Sequence, residues 1–132
     1  MAETIRILII DDEESFTFFV KLNLETDPRF KVTTANRGEE GLKIAKAEKP
    51  DLILLDMMMP GMFGTEVAQK LLEDSSTKDI PIIFLTAAIK KDKVEKEQTM
   101  IGGREMLAKP INKDELIGRI EATLKNGKCK KT

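Results

Sequence analysis

The chain of 132 residues contains no histidine, no tryptophan, no tyrosine and a single cysteine. Without histidine, the chain has no imidazole to act as a general base, a metal ligand or a phosphate carrier. Without tryptophan and tyrosine, a stacking platform for single-stranded nucleic acid is not expected. Cys129 alone cannot form an internal disulfide, which favours a reducing compartment.

The chain also lacks long apolar segments and a large net charge of either sign. No stretch approaches about 18 apolar residues and the N-terminus lacks the apolar run of a signal peptide, so we expect no membrane insertion and a cytoplasmic location. The net charge of -1 gives no overall field to gather nucleic acid, and we expect no direct contact with it. With 41% hydrophobic and 34% charged residues, the composition is that of one ordinary domain with a buried core.

Five short apolar runs alternate with segments of helical period. Some of the runs are almost purely Ile, Leu and Phe, as is typical of parallel strands buried on both faces. The alternation predicts an α/β fold, a doubly wound five-stranded parallel sheet with helices on both faces. The predicted strands are Ile5–Ile10, Phe30–Thr34, Leu52–Leu55, Ile80–Leu85 and Glu105–Ala108.

Apolar residues at helical spacing predict the core-facing sides of four helices. A further, very polar helix is predicted near Lys90–Met100, and Asn112 with Glu115 is predicted to cap the last helix. Residues 1–127 are predicted to form one domain, and residues 128–132 a basic solvated tail. The core-facing sets are Phe16, Phe19, Val20 and Leu24; Leu42 and Ala45; Val67, Ala68, Leu71 and Leu72; and Leu116, Ile117, Ile120 and Leu124.

Polar residues occur where the predicted strands end. Asp11 and Asp12 follow the first strand, Asp56 the third, Thr86 the fourth and Lys109 the fifth. Ligands of open α/β sheets bind beyond the carboxyl ends of the strands. In a sheet of order 2-1-3-4-5 the first and third strands are neighbours about 4.8 Å apart, so the three carboxylates would converge.

Convergence of carboxylates has a cost that a cation removes. Two carboxylates ~4 Å apart repel by about 4 kcal/mol at an effective dielectric constant near 20. Oxygen ligands with room for water suit Mg²⁺. With Lys109 as a positive charge and Thr86 as a hydroxyl donor, these groups predict a cradle for a phosphoryl group, with Asp56 as the nucleophile.

Each of these residues also has an ordinary structural interpretation. The aspartate pair could cap a helix, Asp56 could be a turn residue, Thr86 could end a strand, and Lys109 could be a solvated lysine. The functional interpretation is favoured because complementary groups occur together at four different strand ends of one short chain.

The chain resembles the receiver domains of bacterial response regulators from Ile5 to about Lys125. The segments that carry the resemblance are ILIIDDEE, ANRGEEGLKIAKAEKPDLILLDMMMPGMFG, DIPIIFLTA and LAKPINKDEL. The resemblance implies a flavodoxin-like receiver fold of strand order 2-1-3-4-5 and the transfer of a phosphoryl group from a histidine kinase or histidine phosphotransfer protein. It further implies a conformational signal to a downstream protein partner.

The resemblance also implies roles for particular residues. It implies Asp56 as the phosphoacceptor, and Mg²⁺ held by Asp11, Asp12, Asp56 and the backbone carbonyl of Met58. It implies Thr86 as the switch hydroxyl and, with Lys109, as a contact of the phosphoryl group.

Several positions depart from the pattern of the family. Met106 stands where an aromatic partner of the switch threonine is usual, Phe63 where an aspartate is usual, and Ile111 where a phenylalanine is usual. The resemblance implies that Met58 and Ala88 stand at the two positions that flank the approach of water to the phosphoryl group. Both side chains accept hydrogen bonds poorly, which predicts a long-lived phosphorylated form.

The first helix carries a predicted docking site. Phe18 lies away from the centre of the predicted core face, so we expect it to be exposed and, with Leu22, to dock the phosphodonor.

Two other functions remain open. One is an interaction module of the same fold that is never phosphorylated. The other is an aspartate-nucleophile phosphatase, although such enzymes usually carry Asp-x-Asp after the first strand, where this chain has Asp11-Asp12-Glu13. A flavin protein is disfavoured because no Ser/Thr/Gly loop follows that strand. We therefore expect no enzyme beyond the protein's own phosphotransfer and slow dephosphorylation.

Overall fold

A computed structural model describes residues 4–57, 59, 61–86, 105–108 and 112–131. Within them, five parallel strands form one sheet of order β2-β1-β3-β4-β5, with a helix after most strands. The strands are β1 (Ile5–Ile10), β2 (Phe30–Ala35), β3 (Leu52–Asp56), β4 (Ile82–Thr86) and β5 (Glu105–Ala108). The helices are α1 (Glu14–Leu24), α2 (Gly38–Glu48), α3 (Gly64–Glu73) and α4 (Lys113–Lys131).

The sheet separates two apolar cores because successive strand residues point to opposite faces. On one face, residues such as Ile9 and Leu54 pack with α1 and α4. On the other, residues such as Ile10 and Leu55 pack with α2 and α3. Because helices cover both faces of the sheet, strand residues that point to either face are buried. This explains why the apolar runs of the strands are continuous. The predicted fold class and strand order are confirmed.

The strand bounds differ from the predicted ones at several ends. β2 and β3 each extend one residue further, so that Asp56 ends β3 instead of following it. β4 begins at Ile82 and not at Ile80, and it extends to Thr86 instead of ending at Leu85. The N–H of Ile80 donates to the carbonyl of Thr77 in a turn, and Pro81 has no N–H to give to the sheet. The chain therefore joins β4 only after Pro81.

The predicted core face of α1 is wrong at Phe19, which is 52% exposed. The buried residues of the helix are Thr17, Val20 and Leu24, which lie within one narrow arc at 100° per residue. Phe19 lies on the far side of that arc. Thr17 takes the buried position because its hydroxyl is satisfied, donating to the carbonyl of Glu14 at 2.9 Å.

In α3 the predicted core residue Leu72 is exposed as well. Val67, Ala68 and Leu71 are buried against the sheet, and Leu72 lies roughly 90° from the centre of that face. Sequence hydrophobicity alone placed Leu72 inside, whereas the rotation of the packed helix puts it at the surface.

The last helix begins as predicted. Asn112 caps it, since its side-chain oxygen accepts hydrogen bonds from the N–H groups of Asp114 (2.8 Å) and Glu115 (3.2 Å). The helix continues to Lys131, into the segment predicted as a tail. The helix predicted near Lys90–Met100 lies outside the described residues.

A polar network ties α4 to the turn between α1 and β2. Arg29 donates to Glu121 of α4 at 2.8 Å and to Asp27 at 2.8 Å. The hydrogen bond from the Arg29 side chain keeps the pKa of Asp27 below its ordinary value. In the part of the chain that the structure describes, no helix is both long enough and apolar enough to cross a bilayer.

Candidate metal and phosphoryl site

Three carboxylates meet at the carboxyl ends of β1 and β3. Carboxylate oxygens of Asp11, Asp12 and Asp56 all lie within 4.8 Å of one another. Asp11 is fully buried and Asp56 is 5% exposed, whereas Asp12 is the most accessible of the three. The cluster forms because Ile10 and Leu55 are paired in the sheet, so the residues that follow them are neighbours. The predicted convergence of these three residues is confirmed.

The turn after β1 is fixed by hydrogen bonds of Asp11. Its N–H donates to the carbonyl of Ala35, and its Oδ1 accepts the N–H of Glu13 at 2.9 Å. The N-cap residue of α1 is Glu13, whose own side chain makes no capping bond. Neither aspartate therefore occupies the N-cap position, which weakens the interpretation of the pair as a simple helix cap.

The loop after Asp56 returns closely to the strand it leaves. The N–H of Met57 donates to the carbonyl of Leu85, and the N–H of Gly64 donates to the carbonyl of Met57 at 2.8 Å. A Cβ atom on Gly64 would overlap the carbonyl oxygen of Asp56, so only glycine permits this approach. As a result α3 begins beside the end of β3.

The chemistry of the cluster fits a hard divalent cation. Even at 4.8 Å, the upper limit of the separations in the cluster, two ionised carboxylates repel by roughly 3 kcal/mol at an effective dielectric constant near 20. Burial of Asp11 and Asp56 reduces the water that could screen them. Carboxylate oxygens are the donors that Mg²⁺ prefers, so the donor set matches the predicted ion.

The other predicted site residues are described only in part or not at all. Thr86 ends β4, where its backbone is paired with Ala108, the last residue of β5. Met106 lies within β5 opposite Phe84. The predicted site residues outside the described part of the chain are Met58, Ala88 and Lys109.

The exposed side of α1 is apolar. Phe18 is 62% exposed, as predicted; Leu22 is 54% exposed, and Phe19 lies beside them. We call Phe18, Phe19 and Leu22 the α1 apolar face. Sequence reasoning missed Phe19, although apolar residues at positions i, i+1 and i+4 would mark one face once the core side of the helix is known.

A parallel sheet of this order is that of a flavodoxin-like α/β protein, and the acidic cluster at its carboxyl edge could hold a metal ion. The family model of the response regulator receiver domain matches residues 7–121. The chain therefore belongs to the family of receiver domains of two-component response regulators, which are signalling modules.

Similar proteins include one about twice as long as this chain and one of nearly the same length. The alkaline phosphatase synthesis transcriptional regulatory protein PhoP of Bacillus subtilis is 39% identical over 121 residues, 91% of this chain and 48% of PhoP. Protein PilH of Pseudomonas aeruginosa is 35% identical over 120 residues, 90% of this chain and 97% of PilH. The chain thus spans about half the length of PhoP and nearly the whole length of PilH.

Solved receiver domains have the same fold. A CheY-like receiver domain protein from Methanospirillum hungatei superposes with a TM-score of 0.82 at 26% identity, covering 97% of this chain and 99% of that protein. Chemotaxis protein CheY4 of Vibrio cholerae gives a TM-score of 0.77 at 29% identity, covering 91% and 98%.

Proposed function

We propose that this receiver domain accepts a phosphoryl group on Asp56 from the phosphohistidine of a histidine kinase or a histidine phosphotransfer protein. The observation that supports the proposal is the convergence of Asp11 and Asp12 on the nearly buried Asp56. A carboxylate oxygen of Asp56 attacks the phosphorus, an O–P bond forms, the N–P bond of the donor breaks, and the donor imidazole leaves. The chain has no histidine, so the phosphohistidine is the partner's.

The residues around Asp56 complete the proposed chemistry. Asp11, Asp12, Asp56 and the carbonyl of Met58 would hold Mg²⁺, which when bound neutralises the clustered charge and the charge of the phosphoryl oxygens. Lys109 and Thr86 contact the phosphoryl oxygens in this proposal, as the family motif suggests. Their positions in the sequence support this, because Thr86 ends β4 and Lys109 directly follows the end of β5.

The signal is transmitted by a shift between two conformations of the domain. In this proposal Thr86 moves toward the phosphoryl group. In the family an aromatic side chain usually rotates with the threonine, and Met106 stands at the position of that aromatic residue. Phosphorylation thereby favours one of two pre-existing states, and a downstream protein partner binds that state. The α1 apolar face docks the helices of the phosphodonor.

Incubation with acetyl phosphate and Mg²⁺ tests the phosphoacceptor. We expect intact-mass spectrometry to show the addition of one phosphoryl group to the parent chain and none to Asp56→Asn. Asp79→Asn, which removes an exposed carboxylate away from the cluster, serves as the control and should behave as the parent.

Other outcomes identify the alternatives. Full modification of Asp56→Asn would contradict the site. No modification of the parent, from acetyl phosphate or from a phosphorylated kinase, would favour an interaction module that is never phosphorylated. Steady hydrolysis of para-nitrophenyl phosphate would instead indicate a phosphatase.

A further inference from the structure

Asn36 lies immediately after β2 and holds the turn that carries two of the clustered aspartates. Its side-chain Nδ2 donates to the backbone carbonyl of Asp11 at 2.8 Å and to the hydroxyl oxygen of Thr17 at 3.3 Å. Its own N–H donates to the side chain of Glu40 in α2 at 3.0 Å. The half-buried Asn36 therefore links the end of β2, the turn after β1, α1 and α2.

These bonds fix one particular peptide group. Asp11 is tied to the end of β2 on both sides, since its N–H donates to Ala35 and its carbonyl accepts from Asn36. The carbonyl of Asp11 and the N–H of Asp12 belong to the same planar unit. Fixing that carbonyl therefore sets the direction in which the chain enters Asp12. The carboxylates of Asp11 and Asp12 branch from the two ends of this unit.

We propose that Asn36 is a positioning residue for the metal site, which holds the turn after β1 in the arrangement in which Asp11 and Asp12 face Asp56. This inference rests on the proposed function, because it takes the cluster to be a Mg²⁺ site. In the described structure Asn36 acts on the cluster through the backbone of Asp11, by the 2.8 Å bond to its carbonyl. Without that bond the turn samples more conformations, and the metal must order it on binding.

A purely structural role for Asn36 makes a different prediction. If Asn36 only braces the connection between β2 and α2, its loss lowers the stability of the fold and leaves metal affinity unchanged. The two roles are separated by measuring Mg²⁺ affinity and stability on the same variants. Asn36→Ala replaces one neutral side chain by another, so a change in affinity cannot come from a change in net charge.

The experiment is a calorimetric titration of the full, unphosphorylated chain with Mg²⁺, together with urea unfolding in the absence of metal. Thr33→Ala is the matched control, since Thr33 lies on β2, three residues before Asn36, and its hydroxyl donates to Glu48 at 3.1 Å. We expect Asn36→Ala to raise the dissociation constant of Mg²⁺ about tenfold, and Thr33→Ala to leave it at the parent value. Both variants should lower the urea midpoint by similar small amounts.

Each result supports or contradicts the inference. Parent-like Mg²⁺ affinity in Asn36→Ala, with Mg²⁺ bound by the parent, would overturn the positioning role and leave the proposed function intact. A parent that binds no Mg²⁺ would contradict both. Equal weakening in Thr33→Ala would also overturn the inference, because the effect would then follow general destabilisation. If Asn36→Ala does not fold, Asn36→Ser takes its place with the same expected and contradicting results.

Discussion

The three clustered aspartates differ in how the fold holds them. Asp56 is the last residue of a fully buried strand, so the strand itself sets its direction. Asp11 is buried and has one carboxylate oxygen bonded to the backbone of Glu13. Asp12 is the most accessible, and we infer that the peptide unit shared with Asp11 positions it. The neighbourhood of the three residues could be predicted because they lie at or just after the ends of adjacent strands. The hydrogen bonds that orient Asp11 could not, since they depend on the conformation of one turn.

A strained residue ends α2, which gives a prediction at the residue scale. Lys49 has a positive φ of 48°, in the left-handed region, while its N–H donates to the carbonyl of Ala45. Glycine adopts this conformation without the steric cost of a Cβ atom. We expect Lys49→Gly to raise the free energy of unfolding by roughly 0.5–1 kcal/mol in urea titrations. Lys49→Ala keeps the Cβ atom and should give no such gain; an equal gain would mean that the lysine charge matters and not the backbone.

At the scale of elements, α1 has two apolar sides, one buried and one exposed. One side, formed by Val20 and Leu24, packs in the core, and the other is the α1 apolar face. The helical periodicity of the sequence could not distinguish the core side from the exposed side. Phe16, Phe18 and Phe19 are equally apolar, and a threonine takes a core position. Packing against the sheet decides the rotation of the helix, and that rotation is a property of the assembled fold.

The α1 apolar face gives a prediction about partner recognition. We expect Phe18→Glu to slow phosphotransfer from a phosphorylated histidine kinase about tenfold, since a charge would replace an apolar contact at the proposed docking site. Transfer from acetyl phosphate, which needs no docking surface, should be unchanged. Leu72→Glu on α3 is the control, because Leu72 is an exposed apolar residue on a different helix. Equal slowing with both donors would contradict docking by this face.

The start of α3 gives a prediction about stability. Its N-cap residue is Phe63, which has extended backbone angles suited to a cap but no side-chain acceptor. Glu66 already completes half of a capping box by accepting the N–H of Phe63 at 3.2 Å. We expect Phe63→Ser to be more stable than Phe63→Ala by about 1 kcal/mol in urea unfolding, because serine adds the missing acceptor. Equal stability of the two variants would show that the serine side chain does not cap the helix.

At the scale of the whole molecule, the sheet could be predicted more fully than its surroundings. Continuous apolar runs and strand-end polar residues specify a parallel sheet and its functional edge. The exposed sides of the helices could not be predicted, since apolar content does not indicate which way a helix is turned. The extension of α4 to Lys131 could not be predicted either, since polar residues continue a helix as readily as they form a tail.

The duration of the signal is a property of the whole phosphorylated domain. Met58 and Ala88 offer weak or no hydrogen-bond acceptors for a hydrolytic water, so we propose a long-lived phosphorylated state. We expect Met58→Asn with Ala88→Glu to lose phosphate roughly ten- to a hundredfold faster in a chase at fixed Mg²⁺ without phosphodonor. The same rate in the parent and the double variant would mean that these side chains do not set the lifetime.

The phosphorylated residue can be located directly. Borohydride reduces a phosphorylated aspartate to homoserine, which peptide mass spectrometry assigns to a position in the chain. After phosphorylation with acetyl phosphate and Mg²⁺, we expect homoserine at residue 56 and aspartate at residues 11 and 12. Homoserine at residue 11 or 12, with aspartate retained at residue 56, would show that Asp56 is not the phosphoacceptor.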